Sequence, residues 1–168
     1  YEQCKLLRNH GMAQQYLHHT IGGNFRMDAL QAAALRVKLR AMEDVTQRRR
    51  QNAANYRRLF EEADLLEWAE LPTDTDRHAY HQFVLHVPED QRDPAIQHLR
   101  AQGVGCAVYY PVPFHRQPCF RYLDCDAADF PVADEASRRS LALPIFQGLT
   151  EAEQIDVVGA LKHFVKNR

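Results

Sequence analysis

Long hydrophobic runs and a charge imbalance are both missing from this 168-residue chain. No stretch approaches the roughly 20 apolar residues that cross a bilayer. The formal net charge is −1, so bulk electrostatics favours neither nucleic acid nor an anionic surface. The first residues also lack the apolar core of a secretion signal. These absences predict a cytoplasmic protein with no membrane and no nucleic-acid partner.

Cysteine is scarce and irregularly spaced. The four cysteines form no CxxC pair and no dense framework, which favours reduced thiols in a reducing compartment. His115, Cys119 and Cys125 are the only residues that suggest a soft metal site, but their spacing matches no standard zinc site. We therefore expect no metal.

Neither glycine nor proline occurs between Asp28 and Leu71. Asp28 is a suitable N-cap, and Gln31, three residues later, completes a capping-box pattern. Apolar residues then recur at steps of three and four, with a polar gap between them. The pattern predicts one helix over 28–64, roughly 50 Å long. Because that exceeds the width of a small domain, we expect the helix to link two domains or to lie along a partner.

Arginines are concentrated on this predicted helix, at 48–50 and 57–58. They suggest nucleic-acid binding, but acidic residues flank them and no aromatic residue interleaves as a stacking platform would require. We favour a solvated helix face.

The pattern changes after Pro72 and predicts a compact unit over the rest of the chain. Strands are predicted over 78–87 and 104–108, helices over 93–102, 134–141 and 150–165, and a short extended piece over 142–144. Thr150 caps the last helix, and Glu153 completes its capping box. This order is typical of a two-layer α+β unit.

The segment from Tyr109 to Pro118 is the one richest in chemistry. Two of its prolines, Pro111 and Pro113, lie one residue apart; they exclude helix and disfavour a central strand, because each lacks a backbone donor and has a fixed φ. Two tyrosines, a histidine, an arginine and a glutamine can bind a polar ligand. A rigid polar loop after a strand commonly carries binding residues, but a stiff surface loop explains the pattern equally well.

A second polar cluster, over 22–28, precedes the predicted long helix. Its two glycines let the backbone approach a ligand closely, and the helix start offers free N–H groups and a positive dipole end. Asn24 and Arg26, two apart in an extended segment, face the same side. The cluster is typical of an anion site, although a glycine turn ahead of a capped helix is an equal alternative.

Five motifs follow one another along nearly the whole chain. They are Arg8-Asn9-His10-Gly11, Gly23-Asn24-Phe25-Arg26-Met27-Asp28 with Leu30-Gln31-Ala32-Ala33, Tyr80-His-Gln-Phe-Val84, Tyr110-Pro-Val-Pro-Phe-His115 with Gln117-Pro118, and Leu141-Ala-Leu-Pro144. Their order and spacing resemble the DegT/DnrJ/EryC1/StrS family of sugar aminotransferases, which use pyridoxal 5'-phosphate (PLP).

The resemblance implies an α/β protein with an α+β small domain, namely the C-terminal part of the aspartate-aminotransferase-like PLP-dependent transferase fold (fold type I). Residues 1–27 would end the large PLP-binding domain, 28–64 would form the long interdomain helix, and 65–168 would form the small domain.

The resemblance also implies site residues. Asn24 matches the asparagine that reaches the PLP phosphate of the neighbouring subunit, in a homodimer with active sites at the subunit interface. The implied contacts to the nucleotide sugar are Arg26, Tyr109, Tyr110, His115 and Gln117. The guanidinium of Arg26 would pair with the carboxylate if the sugar were a hexuronic acid.

No lysine matches the one that forms the Schiff base in the family. The chain has Lys5, Lys38, Lys162 and Lys166, and none lies in the family's Ser-x-x-x-x-Lys context. The resemblance places that lysine upstream of Arg8, and the chain opens like the interior of a helix. We therefore expect these residues to belong to a longer protein and to be inactive alone.

The implied reaction is a transamination in two halves. An amino donor, commonly glutamate, loads the cofactor, and a nucleotide-linked ketosugar then takes the amino group. The product would serve the biosynthesis of amino sugars for cell-surface polysaccharide or secondary metabolites. The alternative is a non-catalytic or regulatory member of the same fold that lacks the lysine.

Overall fold

The structure is a computed structural model that describes residues 1–75, 77–126 and 129–168. The chain divides into unit 1, Tyr1–Glu43, and unit 2, Asp44–Arg168. The elements in chain order are α1 (Glu2–Arg8), β1 (Met12–Gln14), β2 (Leu17–His18), α2 (Ala29–Leu39), α3 (Met42–Glu62), β3 (Phe83–His86), α4 (Glu89–Ala101), α5 (Pro131–Arg139), β4 (Ser140–Leu143) and α6 (Glu151–Lys166). None of the helices in these ranges is both long and apolar enough to cross a membrane.

Backbone hydrogen bonds around glycines shape unit 1. The segment that follows the β1–β2 pair runs antiparallel to the end of α1, with Gly23 N donating to Leu7 O at 2.9 Å and a bridge between Asn9 and Asn24. A β-carbon on Gly22 would lie 2.5 Å from the nitrogen of Gly11. Only glycine allows the two backbones to approach this closely.

The chain forms two helices where one was predicted over 28–64, so the prediction of a continuous helix is wrong. Arg40 and Ala41 separate α2 from α3. Their N–H groups bond three residues back, to Val37 O at 3.3 Å and to Lys38 O at 3.1 Å. This shift tightens the end of α2 into a 3-10 turn. Because neither residue is a helix breaker, the break has no signal in the local composition.

Both predicted N-caps are confirmed. Asp28 Oδ1 accepts the N–H of Leu30 at 2.7 Å. Thr150 and Glu153 form a reciprocal capping box, in which the Glu153 carboxylate accepts Thr150 N at 2.7 Å and Thr150 Oγ1 accepts Glu153 N at 3.3 Å. The hydrogen bonds from Thr150 lower the pKa of Glu153 below its ordinary value.

The sheet of unit 2 is an antiparallel pair, β3 and β4, with Phe83 opposite Leu143 and His86 opposite Ser140. The predicted strand over 78–87 is therefore confirmed in its second half. The predicted strand over 104–108 is wrong as a strand, because it is reduced to a single bridge between Ala107 and Ala142.

The predicted helices of unit 2 are all present with shifted ends. α4 begins four residues before the predicted 93–102 and includes Pro94 in its interior. α5 begins at Pro131 and ends at Arg139, instead of spanning 134–141. Pro131 takes the first helical position, where its missing N–H has no helical partner to lose.

The core of unit 2 lies between α3, α4, α6 and the sheet. Its fully buried aromatic and aliphatic side chains include Tyr56, Phe60, Phe83, Leu85, Leu99, Leu141 and Leu161. The ring of Tyr56 stacks on Phe83, with centroids 5.0 Å apart, and its hydroxyl donates to Pro144 O at 2.9 Å. Burial raises the pKa of the Tyr56 phenol.

Arg49 and Arg50 are among the arginines of α3 that do not belong to a solvated face. Arg49 donates to Tyr80 O at 3.0 Å and to Ile145 O at 2.9 Å, and Arg50 donates to His78 O at 3.0 Å. The prediction of a solvated face is wrong for this pair. The several N–H donors of each guanidinium reach loop carbonyls that lie far away in the sequence.

Candidate functional site

A cavity of about 550 Å³ opens beside the proline-rich loop of unit 2. The loop supplies one wall, made by Tyr109, Tyr110, Val112, Pro113, Phe114 and Gln117. The opposite wall consists of Ala133, Ala136, Ser137 and Ser140, from α5 and the start of β4. We call this space the tyrosine cavity.

The loop wall is aromatic and partly open to solvent. The rings of Tyr109 and Tyr110 meet edge to face with centroids 5.8 Å apart, and Tyr110 is 70% exposed. After Pro113 the chain enters a 3-10 turn over Phe114–Arg116. Gln117 Nε2 then donates to Val112 O at 3.2 Å, which closes the loop on itself. The Oε1 atom of Gln117 accepts no hydrogen bond from the described residues, so it can accept one from a ligand.

The helix wall is made of small residues. Positions 133, 136 and 137 follow the spacing that places side chains on one face of α5, and Ser140 follows at the start of β4. Ser137 Oγ donates its proton to Asp134 O at 2.8 Å. Ser140 is 3% exposed and lines the cavity beside it. The wall therefore carries two hydroxyls, of which that of Ser137 is engaged by the backbone.

Asp134 fastens the two walls together. The side chain of Asp134 is 7% exposed. Its carboxylate accepts hydrogen bonds from both Nε and Nη2 of Arg116, the latter at 2.6 Å. His115 Nε2 lies 3.3 Å from the same carboxylate. The neighbouring guanidinium is the main reason that the pKa of Asp134 lies below its usual value. One residue of α5 thus pairs with Arg116 of the loop and lies close to its neighbour His115, whose Nε2 makes no hydrogen bond in the described part of the chain.

The structure brings three of the predicted sugar contacts together and sets a fourth apart. Tyr109, Tyr110 and Gln117 line the tyrosine cavity. His115 does not line it; its ring packs against Phe130 at a centroid distance of 4.9 Å and faces Asp134. The predicted contact between His115 and a sugar stays a prediction, and the contacts seen here position the loop.

The predicted residues of unit 1 form a surface of their own. Asn24 Oδ1 accepts the Nε–H of Arg26 at 2.6 Å, and both side chains are exposed. Arg26 also lines a cleft of about 670 Å³ together with Lys5 and Arg8. Because its oxygen faces a donor, Asn24 keeps its amide hydrogens for an acceptor. Glu2 lines the same cleft and pairs with Lys5, so the guanidinium groups of Arg8 and Arg26, with the nearby amide, are the groups that suit an anion.

None of the four lysines lines the tyrosine cavity. Lys5 lies on α1 and forms a salt bridge of 3.5 Å with Glu2, while Lys38 lies on α2 and Lys162 and Lys166 lie on α6.

Sequence reasoning missed Asp134, Ser137 and Ser140. The spacing of small residues over 133–140 is a weak signal, because small side chains on one helical face are typical of any packed helix. Nothing local links Arg116 with Asp134, which follows it by 18 positions.

A profile of the DegT/DnrJ/EryC1/StrS aminotransferase family matches residues 1–162. Among curated proteins, the chain is 38% identical to the pleiotropic regulatory protein of Geobacillus stearothermophilus, over 99% of this chain and 44% of that protein. It is 31% identical to the dTDP-3-amino-3,4,6-trideoxy-alpha-D-glucose transaminase of Streptomyces venezuelae, over 98% of this chain and 43% of that protein.

Among solved structures, S. venezuelae DesV in complex with a ketimine intermediate matches with a TM-score of 0.84 and 30% identity. The match covers 99% of this chain and 44% of that one. The chain therefore spans less than half the length of the relatives that it matches.

Proposed function

The chain belongs to the DegT/DnrJ/EryC1/StrS aminotransferase family, and on that basis we propose that it forms the C-terminal part of a nucleotide-sugar aminotransferase. Members of this family are PLP-dependent, and the chain has the family's fold. The whole enzyme would transfer an amino group, from glutamate, to a nucleotide-linked ketosugar in the cytoplasm. The product would enter cell-surface polysaccharide or secondary metabolites.

The observation that carries the proposal is the tyrosine cavity. Tyr109, Tyr110 and Gln117 were expected to contact the sugar because of their motif, and all three line one space. The pairing of Asp134 with Arg116 holds that space open between loop and helix. The cavity would bind and orient the sugar, and its aromatic loop would limit the access of water to it.

The residues of unit 1 fit the phosphate of PLP. Asn24 has free amide hydrogens, and Arg26, which engages its oxygen, orients the amide. We propose that Asn24 donates to the phosphate of the cofactor bound by the neighbouring subunit of a homodimer, and that Arg26 faces the nucleotide sugar. PLP, when bound, supplies the electron sink and carries the amino group. The residues of this chain would bind and orient the sugar and the phosphate. The lysine that holds the cofactor would lie upstream of Arg8.

The proposal is tested with Asn24→Ala in the full-length protein. We expect roughly tenfold weaker PLP binding, since a hydrogen bond to a charged group is lost, measured by spectrophotometric titration. Gln97→Ala, an exposed change on α4, is the control and should bind PLP normally. Unchanged affinity in the Asn24 variant would contradict the phosphate role. The 168 residues alone are expected to be colourless and inactive. Turnover by them would contradict the proposal that the lysine lies upstream of Arg8.

A regulatory, non-catalytic role in the same fold is the second candidate. The similarity to a protein named as a pleiotropic regulator favours it. A transamination assay on the full-length protein, with glutamate and a nucleotide-linked ketosugar, separates the two candidates. Turnover supports the enzyme, whereas PLP-independent ligand binding without turnover supports the regulator.

A further inference from the structure

We propose that Arg49 is a positioning residue for sugar binding, because its guanidinium cross-links the two loops at one end of the β3–β4 sheet and thereby fixes Tyr109 in the wall of the tyrosine cavity. Arg49 lies on α3 and does not itself line that cavity. The inference rests on the proposed function, in which the tyrosine cavity binds the sugar.

A single nitrogen atom of Arg49 joins the two loops. Nη1 donates to Tyr80 O at 3.0 Å and to His81 O at 3.4 Å, in the loop that enters β3. The same atom donates to Ile145 O at 2.9 Å, in the loop that leaves β4. These loops lie at the same end of the sheet, because β3 and β4 are antiparallel. Hydrogen bonds from a charged donor are stronger than neutral ones, so this contact fixes the spacing of the two loops.

The backbone of Tyr80 shows that its loop has to be held in place. Tyr80 has φ of 45°, in the left-handed region that aromatic residues rarely adopt. Such a conformation persists where the surroundings fix it from several sides. Asp74 accepts the hydrogen of the Tyr80 hydroxyl, His78 Nδ1 accepts its N–H at 2.9 Å, and Arg49 binds its carbonyl oxygen. Removal of the guanidinium would take away one of these three supports.

A short path of backbone contacts leads from the bound loops to Tyr109. A second cavity, of about 370 Å³, is lined by both loops and by Tyr109, which also lines the tyrosine cavity. Ala142, three residues before Ile145, exchanges two backbone hydrogen bonds of 2.8 and 3.2 Å with Ala107. Ala107 lies two residues before Tyr109. A shift of Ile145 is therefore transmitted through this bridge to the wall that the two cavities share.

Two other side chains on the same face of α3 bind only one of the loops. Asn52 Nδ2 donates to Phe146 O at 2.7 Å, and the Tyr56 hydroxyl donates to Pro144 O at 2.9 Å. In the described part of the chain, neither forms a hydrogen bond with the loop that enters β3. Asn52 thus offers a matched control, because its loss removes a bond to the same loop without removing the cross-link.

The first test follows the backbone of the full-length protein without added ligand, by hydrogen–deuterium exchange and mass spectrometry. Arg49→Met keeps the apolar stem and removes the donors, so we expect the peptides that contain Ala107 and Ala142 to exchange at least about tenfold faster. Asn52→Ala should accelerate them less than about threefold, and Arg48→Met, at an exposed neighbour, should leave them unchanged. Unchanged exchange in Arg49→Met, or equal acceleration in Asn52→Ala, would overturn the cross-link.

The second test measures the binding of two nucleotide sugars, dTDP-α-D-glucose and UDP-N-acetyl-α-D-glucosamine, to the full-length protein by calorimetry. For the probe that binds more tightly, Arg49→Met should raise the Kd about fivefold, whereas Asn52→Ala and Arg48→Met should raise it less than about twofold. Arg49→Lys should recover part of the loss, because all three contacts converge on one nitrogen that an ammonium group can replace. An unchanged Kd in Arg49→Met would overturn the proposal.

A double-mutant cycle separates positioning from a general loss of structure. Because Arg49 acts through Tyr109, Arg49→Met should change the Kd of a Tyr109→Ala protein by less than about twofold. A purely structural role would give the same fivefold loss in both backgrounds, and that result would overturn the positioning role.

The outcomes separate this inference from the proposed function. A probe that binds the unmodified protein and Arg49→Met equally well, combined with PLP binding that depends on Asn24, would overturn the inference alone. An unmodified protein that bound neither nucleotide sugar would overturn the proposed function together with the inference that rests on it.

Discussion

Unit 1 leaves most of its large apolar side chains in solvent, whereas unit 2 buries a continuous cluster of them. Ile21 is 96% exposed, Leu30 83% and Phe25 73%, and Gly11 is the one buried residue of unit 1. In unit 2, Phe60 and its neighbours are fully buried. Unit 1 is thus held by glycine geometry and backbone hydrogen bonds, and unit 2 by apolar burial.

The same difference separates the two candidate sites. The tyrosine cavity has two walls within unit 2, joined by Asp134. Asn24 and Arg26 lie exposed on unit 1. An exposed pair needs a second surface to enclose a ligand, which supports the proposal that Asn24 acts across a subunit interface. The comparison predicts that the stability of unit 2 is most sensitive to substitutions that remove buried apolar side chains. It predicts that the stability of unit 1 is most sensitive to substitutions that disturb its backbone geometry.

The largest expected effect is the loss of core packing in unit 2. Phe60→Ala in the 168-residue chain should lower the free energy of unfolding by about 3–5 kcal/mol, because it leaves a cavity in the core. Urea unfolding followed by the fluorescence of Trp68, the single tryptophan, measures this. Phe25→Ala is the matched control in unit 1 and should change the free energy of unfolding by less than about 0.5 kcal/mol. Similar losses for both variants would end the contrast between the units.

The second-largest expected effect comes from a substitution that disturbs the backbone geometry of unit 1. Gly11 has φ of 69°, and a β-carbon there would lie 1.7 Å from Thr20 O. Gly11→Ala should abolish the local turn, seen as lost amide-exchange protection at His19, which donates to Gly11 O at 2.8 Å.

Gly103 is the comparison for this change, because it has φ of 77° but no atom within 4 Å of a β-carbon. Gly103→Ala should cost only about 1–2 kcal/mol, the cost of the left-handed conformation. If Gly11→Ala unfolded unit 2 as well, the two units would not be independent in stability.

Helix caps sharpen the comparison at a smaller scale. Thr150→Ala should lower the unfolding free energy of unit 2 by about 1 kcal/mol. Asp28→Ala, the corresponding change in unit 1, should reduce only the amide protection of α2 and leave the Trp68 transition in place. A shift of that transition by Asp28→Ala would contradict the prediction.

The capping box also predicts a pH dependence. Thr150 lowers the pKa of Glu153 in the folded state, so the ionised carboxylate contributes stability above the ordinary Glu pKa of about 4.3. The contribution is lost as the pH falls through the lowered pKa. The difference in unfolding free energy between Thr150→Ala and the unmodified chain should therefore become smaller in acid. A difference that grows as the pH falls would contradict this prediction.

The smallest expected effect is a gain in the stability of unit 2. Gly159 lies in α6, and a β-carbon there meets no atom within 4 Å. Gly159→Ala should raise the unfolding free energy of unit 2 by about 0.5–1 kcal/mol, since alanine loses less backbone entropy in a helix. The same urea titration measures it. A destabilised Gly159→Ala would mean that the exposed face of α6 packs against a surface outside the chain.

Local contacts were predicted well, and distant ones were not. The caps at Asp28 and Thr150 involve residues at most three positions apart, so the sequence alone reveals them. The break at Arg40 carries no local breaker and was missed. Arg49 was assigned to solvent, although it binds Ile145 O, 96 positions away.

The sequence by itself determined the family, through motifs in fixed order, and nominated Tyr109 and Tyr110 as site residues. Only the tertiary structure decided that Gln117 lines the cavity while His115 faces Asp134, and that Arg116 pairs with Asp134 across the two walls. The physical reason is that hydrogen-bond partners and burial depend on residues brought together from distant positions. A residue's type tells what it can bind, and its surroundings determine which of those bonds remain available.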